Sequence, residues 1–386
     1  MPRSKCQALP FDGCRLIVSA ASICTAIALA LLMIAIAAPA SCAQLPALKS
    51  PPGWGQVPQG TGACSVEKSC AELAPGMIRK ALGPSPLDRE IRALSAILAS
   101  HDSSVGSDAA RWALDAFHRA GADQVRTEAF GSSGGAESVV AEISGRDHRN
   151  DYVLIAAPLD ETGANPVAAA ENVAVLVDAV RVIHASGSIP RRSIRILLFR
   201  TKAHHPSRRW AGEWAYIHQH RTDLDRVAAA VAIDVTRGPL DGYSLEGRPE
   251  MLGGVREALL PLQPLGIRKF TQTVFVPTGV TPFWLEGIPT LVATCSSTQA
   301  EPNQRVVSSP GKVAGNGALA DIDQLKRAVA AAAVTSYALA DAAARIGPRR
   351  SRLEVEHSIQ SRALEPKLKA SGLWTQWQAM RPDAPR

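Results

Sequence analysis

The sequence predicts an α/β fold of three layers, in which a mostly parallel central sheet lies between two layers of helices. Short runs rich in Val, Ile and Leu, such as SVVAEIS and YVLIAA, alternate with helical segments along the chain. Strands that are apolar throughout are typical of parallel sheets covered on both faces. The 386 residues are 46% hydrophobic and 20% charged, which supplies a large core. We place this α/β domain over residues 86–346.

The N-terminus carries an export signal. Three basic residues precede an uncharged run over 16–40, and small residues at 41 and 43 form a signal-peptidase site before Gln44. We therefore predict that residues 1–43 are a signal peptide. The run is also long enough to cross a bilayer, so an uncleaved membrane anchor is the alternative; a lipid-modified Cys42 fits less well. Each alternative places the domain outside the cytoplasm, secreted, periplasmic or membrane-anchored.

Residues 44–85 are interpreted as a linker rich in Pro and Gly. The stretch CSVEKSC within it predicts a small disulfide loop between Cys64 and Cys70, as an oxidising compartment permits. Cys295 follows an apolar strand, and we expect it to be buried and unreactive.

The predicted elements follow in order along the domain. Two amphipathic helices, LDREIRALSAILAS and GSDAARWALDAFHRAG, come first. The predicted strands are SVVAEIS, YVLIAA, SIRILLF, VAAAVAIDV, TQTVFV and TLVAT, and the further helices span 170–185, 209–220, 250–260 and 321–346. The helix from Ala170 follows YVLIAA directly, and ligands in open α/β sheets bind outside the carboxyl ends of strands. The stretch 155–176 therefore lies where a site is expected.

Eight segments then occur in one recognisable order over residues 88–346: SVVAEISG, YVLIAAPLDE, AAAENVAVLVDAVRVI, PRRSIRILLFRTK, AGEWAY, AAAVAIDV, TPFWLEGIPTLV and DIDQLKRAVAAAAVTSYALAD. This order resembles the co-catalytic zinc aminopeptidases and their relative carboxypeptidase Q. The resemblance implies a phosphorylase/hydrolase-like fold and two zinc ions. In the family these ions are held by His, a bridging Asp, Glu, Asp and a final His, and another Glu is the general base.

Most positions that match those family residues hold unsuitable side chains in this sequence. The first His corresponds to Pro158, the bridging Asp to Ala168, the Glu base to Lys202 and the Glu ligand to Ala203. Pro and Ala side chains have no lone pair to offer, whereas catalytic zinc needs about three protein ligands. A lysine in place of the base also removes the carboxylate that takes a proton from water.

Two acidic residues do match the family pattern. Asp234 is the one matching ligand, and Asp160 matches the Asp that supports the missing first His. The final His should precede the last helix, but no histidine lies between His220 and His357. Adjacent histidines at 204 and 205, and a pair at 218 and 220, are the remaining candidates for a substitute metal site.

The resulting hypothesis is a catalytically inactive relative of the zinc exopeptidases, with no catalytic residues and no cofactor. It would bind a peptide or protein partner through a relict cleft walled by Asp160, Lys202, Asp234 and Thr281. The alternative is a divergent, active zinc metallopeptidase, an aminopeptidase or a carboxypeptidase Q-like enzyme, whose ligands lie elsewhere in the sequence.

The net charge of +7 is partly a property of residues 347–386, which hold eight Lys and Arg against four Asp and Glu. No aromatic and basic platform accompanies this charge, so nucleic-acid binding is not expected. We interpret 347–386 as a basic C-terminal tail. Its stretch GLWTQWQAM either packs on the domain, is disordered, or contacts a partner or membrane surface. Membrane attachment otherwise rests on the N-terminal segment alone.

Overall fold

The computed structural model describes residues 69–100, 105–130, 136–159, 166–201, 210–235, 238–296 and 321–380. The predicted leader and Cys64 lie outside these ranges, so signal, anchor and disulfide stay predictions. Within the described ranges, no helix combines the length and the apolar character that crossing a bilayer requires.

Eleven helices occur in the described residues: α1 (Cys70–Leu82), α2 (Leu87–Leu98), α3 (Val105–Ala120), α4 (Pro166–His184), α5 (Ala211–Gln219), α6 (Leu252–Ala258), α7 (Thr281–Leu285), α8 (Ile322–Asp341), α9 (Arg352–Ser361), α10 (Glu365–Ala370) and α11 (Leu373–Ala379). The strands are β1 (Gln124–Phe130), β2 (Ala136–Ile143), β3 (His148–Pro158), β4 (Arg192–Thr201), β5 (Val227–Ala232), β6 (Leu240–Ser244), β7 (Lys269–Thr271) and β8 (Thr290–Cys295).

The described strands form one sheet in the order β1-β2-β4-β3-β5-β8-β6-β7. The pairs β3–β4, β3–β5, β5–β8 and β6–β7 are parallel, whereas β1–β2, β2–β4 and β6–β8 are antiparallel. The central strands are thus parallel, and the prediction of a mostly parallel α/β sheet is confirmed.

Both faces of the sheet are buried. Successive residues of a strand point to opposite sides, so each strand contributes to the packing on both faces. In β3, Val153 and Ile155 belong to one apolar cluster, while Leu154 and Ala156 belong to another. The first cluster lies under α1–α4, α6 and α8, which we call the first face. The second lies under α5, α7 and α9–α11, which we call the second face. The three-layer architecture is therefore as predicted.

The predicted linker over 44–85 is wrong in its last part, because α1 begins at Cys70. The Glu72 carboxylate accepts the backbone N–H of Ser69 at 2.6 Å, which satisfies a donor at the start of the helix. Met77 and Ala81 of α1 are fully buried. The Pro and Gly residues around this segment favoured a linker, but its apolar stripe packs against the first face.

The predicted basic tail over 347–386 is also corrected, as far as residue 380. Helices α9, α10 and α11 pack on the second face, where Leu368, Leu373 and Trp377 are fully buried. Of the alternatives for GLWTQWQAM, packing on the domain is the one observed.

The strand predictions miss two elements and misplace one. β1 has the polar sequence QVRTEAF of an edge strand, and β6 is short and contains Gly242. TQTVFV is extended but contributes only Thr271 to a strand, β7. Short edge strands carry little apolar pattern, so the sequence signal for them is weak.

Candidate functional site

Two of the predicted site residues lie side by side at the carboxyl edge of the sheet. β3 pairs in parallel with β5, with Ala156 opposite Ala232. Pro158 and Asp234 each come two residues after that pair. On the other side of β3, Pro158 is opposite Phe199 of β4. The carboxyl ends of β3, β4 and β5 thus lie together around Pro158, which corresponds to the first His of the family.

Helix α4 brings Ala168 to the same edge. Ala168 is buried in the first turn of the helix, and one turn later the Asn172 side-chain oxygen accepts the backbone N–H of Val235 at 3.0 Å. Val235 directly follows Asp234. Strand register and this hydrogen bond therefore place Pro158, Ala168 and Asp234 at the same edge of the sheet.

The carboxyl end of β8 completes this edge. The Cys295 Sγ lies 3.8 Å from the backbone oxygen of Asp234, within hydrogen-bonding distance for a thiol donor. Cys295 is half-buried, so the expectation of a buried thiol is wrong.

The Thr281 side chain forms hydrogen bonds within the turn at the start of α7. Its hydroxyl accepts the backbone N–H of Thr278 at 2.7 Å and lies 3.1 Å from the Thr278 hydroxyl. The residue is only 2% exposed. Helix α7 reaches the edge of the sheet through Phe283, whose ring centroid is 6.3 Å from that of Phe199. The Thr281 side chain therefore bonds within its own turn, and Phe283 is the residue of α7 that packs against the end of β4.

Asp160, Lys202 and Ala203 lie outside the described residues, as do His204 and His205. What the sequence predicts for them stays a prediction.

The second histidine pair does not reach the edge as a metal site. His220 Nε2 lies 2.9 Å from a carboxylate oxygen of Glu128, and its ring stacks 4.2 Å from that of Tyr216. Burial acts to raise the pKa of Glu128, but the hydrogen bond to His220 and the charge of Arg126 outweigh it and hold that pKa below its usual range. His220 thus joins α5 to β1 in a structural pair.

Two residues that shape this region were missed by the sequence reasoning. Asn172 joins α4 to the segment after β5, and the signal for it was a polar amide inside an otherwise apolar helical stretch. Phe199 supports both α7 and α5, since a Cβ added at Gly212 would lie 3.3 Å from the Phe199 Cβ. A single apolar residue inside an apolar strand carries no signal that would have distinguished it.

Comparison with known proteins extends this picture at the level of the fold. No family model matches the sequence, and no curated protein matches it. A peptidase M28 precursor from Shewanella amazonensis is similar in structure, with TM-score 0.58 and 13% identity over 73% of this chain and 99% of that chain. The aminopeptidase LapA from Legionella pneumophila gives TM-score 0.54 and 15% identity over 74% and 80% of the respective chains.

A glutaminyl cyclase from Macrostomum lignano is also similar, with TM-score 0.50 and 14% identity over 70% of this chain and 94% of that chain. At such identities the likeness shows the fold alone. The chain therefore has the zinc exopeptidase-like fold of the M28 peptidases, and the predicted resemblance is confirmed at that level.

The expectation that the chain takes no cofactor is contradicted by these comparisons. The chain shares its fold with the M28 peptidase precursor and with the aminopeptidase LapA, and this fold points to zinc. The described residues alone do not fit the ion. At the carboxyl edge they supply the Asp234 carboxylate and the Cys295 thiol, and nowhere in the described part do three His, Cys, Asp or Glu side chains converge. We therefore derive no catalytic step through a metal.

Proposed function

We propose that this chain is an exported relative of the M28 exopeptidases that binds a peptide or protein partner at the carboxyl edge of its sheet without hydrolysing it. One observation carries this proposal. The edge where the fold places its site is built from Pro158 and Ala168, side chains that can neither ligate a metal nor move a proton. The described strands and helices around them keep the fold of the M28 peptidase.

The N-terminus of α4 favours an anionic group such as a peptide carboxylate, against the opposing charge of Asp234. Helix α4 begins at Pro166 with no acidic residue in its first turn, so the partial positive charge of its N-terminus faces the ligand side of the sheet. Lys202, three residues after Phe199 in sequence, lies outside the described residues, and we propose that it supplies a cation for the carboxylate. A cation where the family has a general base is suited to holding a carboxylate, not to activating water.

The first experiment measures binding and hydrolysis of one peptide. Full chain, with and without excess zinc, is titrated against fluorescein-labelled tetra-alanine with a free carboxylate and against its amide, using fluorescence anisotropy. We expect tighter binding of the free carboxylate, no cleavage by mass spectrometry, and an affinity lowered about tenfold in Lys202→Ala, as for loss of a charged hydrogen bond. Lys80→Ala, which removes an exposed lysine of α1, is the matched control and should bind normally.

The second candidate is an active zinc exopeptidase, which the fold similarity to LapA and the M28 peptidase favours. Zinc-dependent release of alanine from the unlabelled peptide would establish it and overturn the inactive assignment. If neither the free carboxylate nor the amide binds at millimolar concentration, the peptide partner is removed from the proposal.

Export is a separate part of the proposal and has its own test. Cell fractionation with N-terminal sequencing of the isolated protein should give Gln44 as the first residue in the extracytoplasmic fraction. An intact N-terminus in the membrane fraction would replace the signal peptide by an anchor, and recovery from the cytosol would contradict export.

A further inference from the structure

The short helix α7 ends against residues 347–380, which we call the C-terminal segment. Beyond the last internal hydrogen bonds of a helix, the final carbonyl groups need other donors. Here the Leu285 carbonyl accepts from Trp377 Nε1 at 3.1 Å, the Glu286 carbonyl from Arg349 Nε at 2.8 Å, and the Gly287 carbonyl from the backbone N–H of Arg350 at 2.8 Å. Donors distant in sequence thus complete the end of α7.

The C-terminal segment also holds the start of α5. Trp210 lies immediately before that helix and immediately after residues 202–209. Its indole Nε1 donates to the Ser371 carbonyl at 3.1 Å, and the residue is 6% exposed. A carbonyl 161 positions away in sequence thus fixes the residue that precedes α5.

Both anchored elements pack on one residue beside the carboxyl edge. Phe283 of α7 and Gly212 of α5 contact Phe199, which is opposite Pro158 at the end of β3. A shift of α7 or of α5 would therefore change the packing beside that strand end.

Helix α7 depends on contacts from outside its own sequence. Helix α7 has five residues, far fewer than an isolated helix needs for stability in water. Trp377 is fully buried, and the Arg352 guanidinium lies 4.1 Å over its ring, which fixes the indole that donates to Leu285. The position of α7 is thus set by a residue more than ninety positions away.

We propose that the C-terminal segment is a positioning element of the carboxyl edge. Trp377 and the Ser371 carbonyl set the positions of α7 and α5 beside the end of β4, and with them the affinity for a carboxylate-bearing peptide. This inference rests on the proposed function. It makes these groups positioning residues, since neither contacts the ligand edge itself.

The test uses full-chain Trp377→Phe, which keeps an aromatic ring but removes the Nε1–H donor. Tyr243→Phe is the matched control, because it removes a buried hydrogen bond to Thr335, 2.8 Å long, on the first face. In the anisotropy titration with labelled tetra-alanine, we expect the Kd of Trp377→Phe to rise about fivefold, which corresponds to one lost hydrogen bond. Tyr243→Phe should lose a similar amount of thermal stability with an unchanged Kd. Equal Kd values in both variants would overturn the proposal.

Hydrogen exchange separates this inference from the proposed function, since it needs no ligand. Trp377→Phe should speed amide exchange at least threefold in 210–216 and 281–288 and leave α8 unchanged, while Tyr243→Phe should act on α8 alone. Unchanged exchange in both of these ranges in Trp377→Phe overturns the positioning role even if the peptide binds. The expected exchange pattern with no peptide binding in the wild type supports positioning and overturns the peptide function.

Discussion

Apart from α6, the helices on the first face of the sheet have at least twelve residues, and α4 and α8 are rich in alanine. The helices on the second face have at most ten residues and pack through aromatic rings. α8 runs for twenty residues, and its positions 328–340 are all buried. The second face instead contains Trp210, Trp214, Trp284 and Trp377, together with Phe199, Tyr216 and Phe283. Small side chains let helices approach closely along their whole length, whereas rings fill wider gaps at few points.

This difference explains how each face is specified. On the first face the chain adds long helices whose own residues supply the contact, so local pattern determines the packing. On the second face α5 and α7 are too short to be stable by themselves, and the C-terminal segment closes the layer from a distance. The functional edge borders the face that depends on long-range contacts.

The largest expected effect is that of removing the buried indole of the second face. Trp377→Ala loses a fully buried ring and the hydrogen bond to Leu285, and should lower the free energy of unfolding by about 3–5 kcal/mol. Urea denaturation measures this. Trp374→Ala, at the half-buried neighbouring ring, should cost less than half as much. Equal costs at the two positions would mean that the second face does not depend on Trp377.

Overpacking should sharpen the contrast on the first face. Ala333→Leu introduces three methyl or methylene carbons at a fully buried position of α8 and should cost about 1–3 kcal/mol in the free energy of unfolding. Ala71→Leu, at an exposed position of α1, is the control and should be near neutral. A tolerated leucine at 333 would show that the alanine-rich layer is loosely packed.

The smallest effect concerns a buried acid where the second face meets β6. Burial raises the pKa of Glu246 from 4.5 to about 8, although its carboxylate accepts the backbone N–H of Phe275 at 2.9 Å. The folded state therefore keeps a proton that the unfolded state releases above pH 4.5, and the free energy of unfolding falls as pH rises from about 4.5 to about 8.

Glu246→Gln removes that titration. Its stability relative to the wild type should be higher at pH 8 than at pH 6 by about 2 kcal/mol. Thermal melts of both proteins across this range measure the difference. Glu257→Gln, at an exposed position of α6, should follow the wild type at each pH. Parallel curves for Glu246→Gln and the wild type would place the carboxyl in contact with solvent.

The fold was predictable because its central elements carry the pattern locally. SIRILLF and VAAAVAIDV are apolar on both faces, and the stripe Val173, Leu176 and Val180 defines α4. The strands β1 and β6 were not predictable in the same way, because they carry little apolar pattern. The role of α9–α11 was not predictable because these helices pack against partners far along the chain. For GLWTQWQAM, spacing alone did not distinguish packing from exposure.

The strands and the helix that carry the candidate site residues were predictable, but the contacts that support them were not. Strand order and helix placement put Pro158, Ala168 and Asp234 at one edge of the sheet, while their role as a site stays a prediction. The contacts that shape that edge come from Asn172 and Trp210, which no motif marks. Hydrogen bonds to backbone groups leave little trace in a single sequence, because many residue types could supply the donor or acceptor.

The hydrogen bond between Asn172 and the Val235 amide has a consequence for how this edge tolerates change over evolutionary time. The acceptor, Asn172, lies one helical turn after position 168, and the donor, Val235, lies one residue after position 234. Substitutions at positions 158, 168 and 234 therefore leave this hydrogen bond in place. The side chains at the edge can change in the course of evolution while the contact between α4 and the end of β5 is kept.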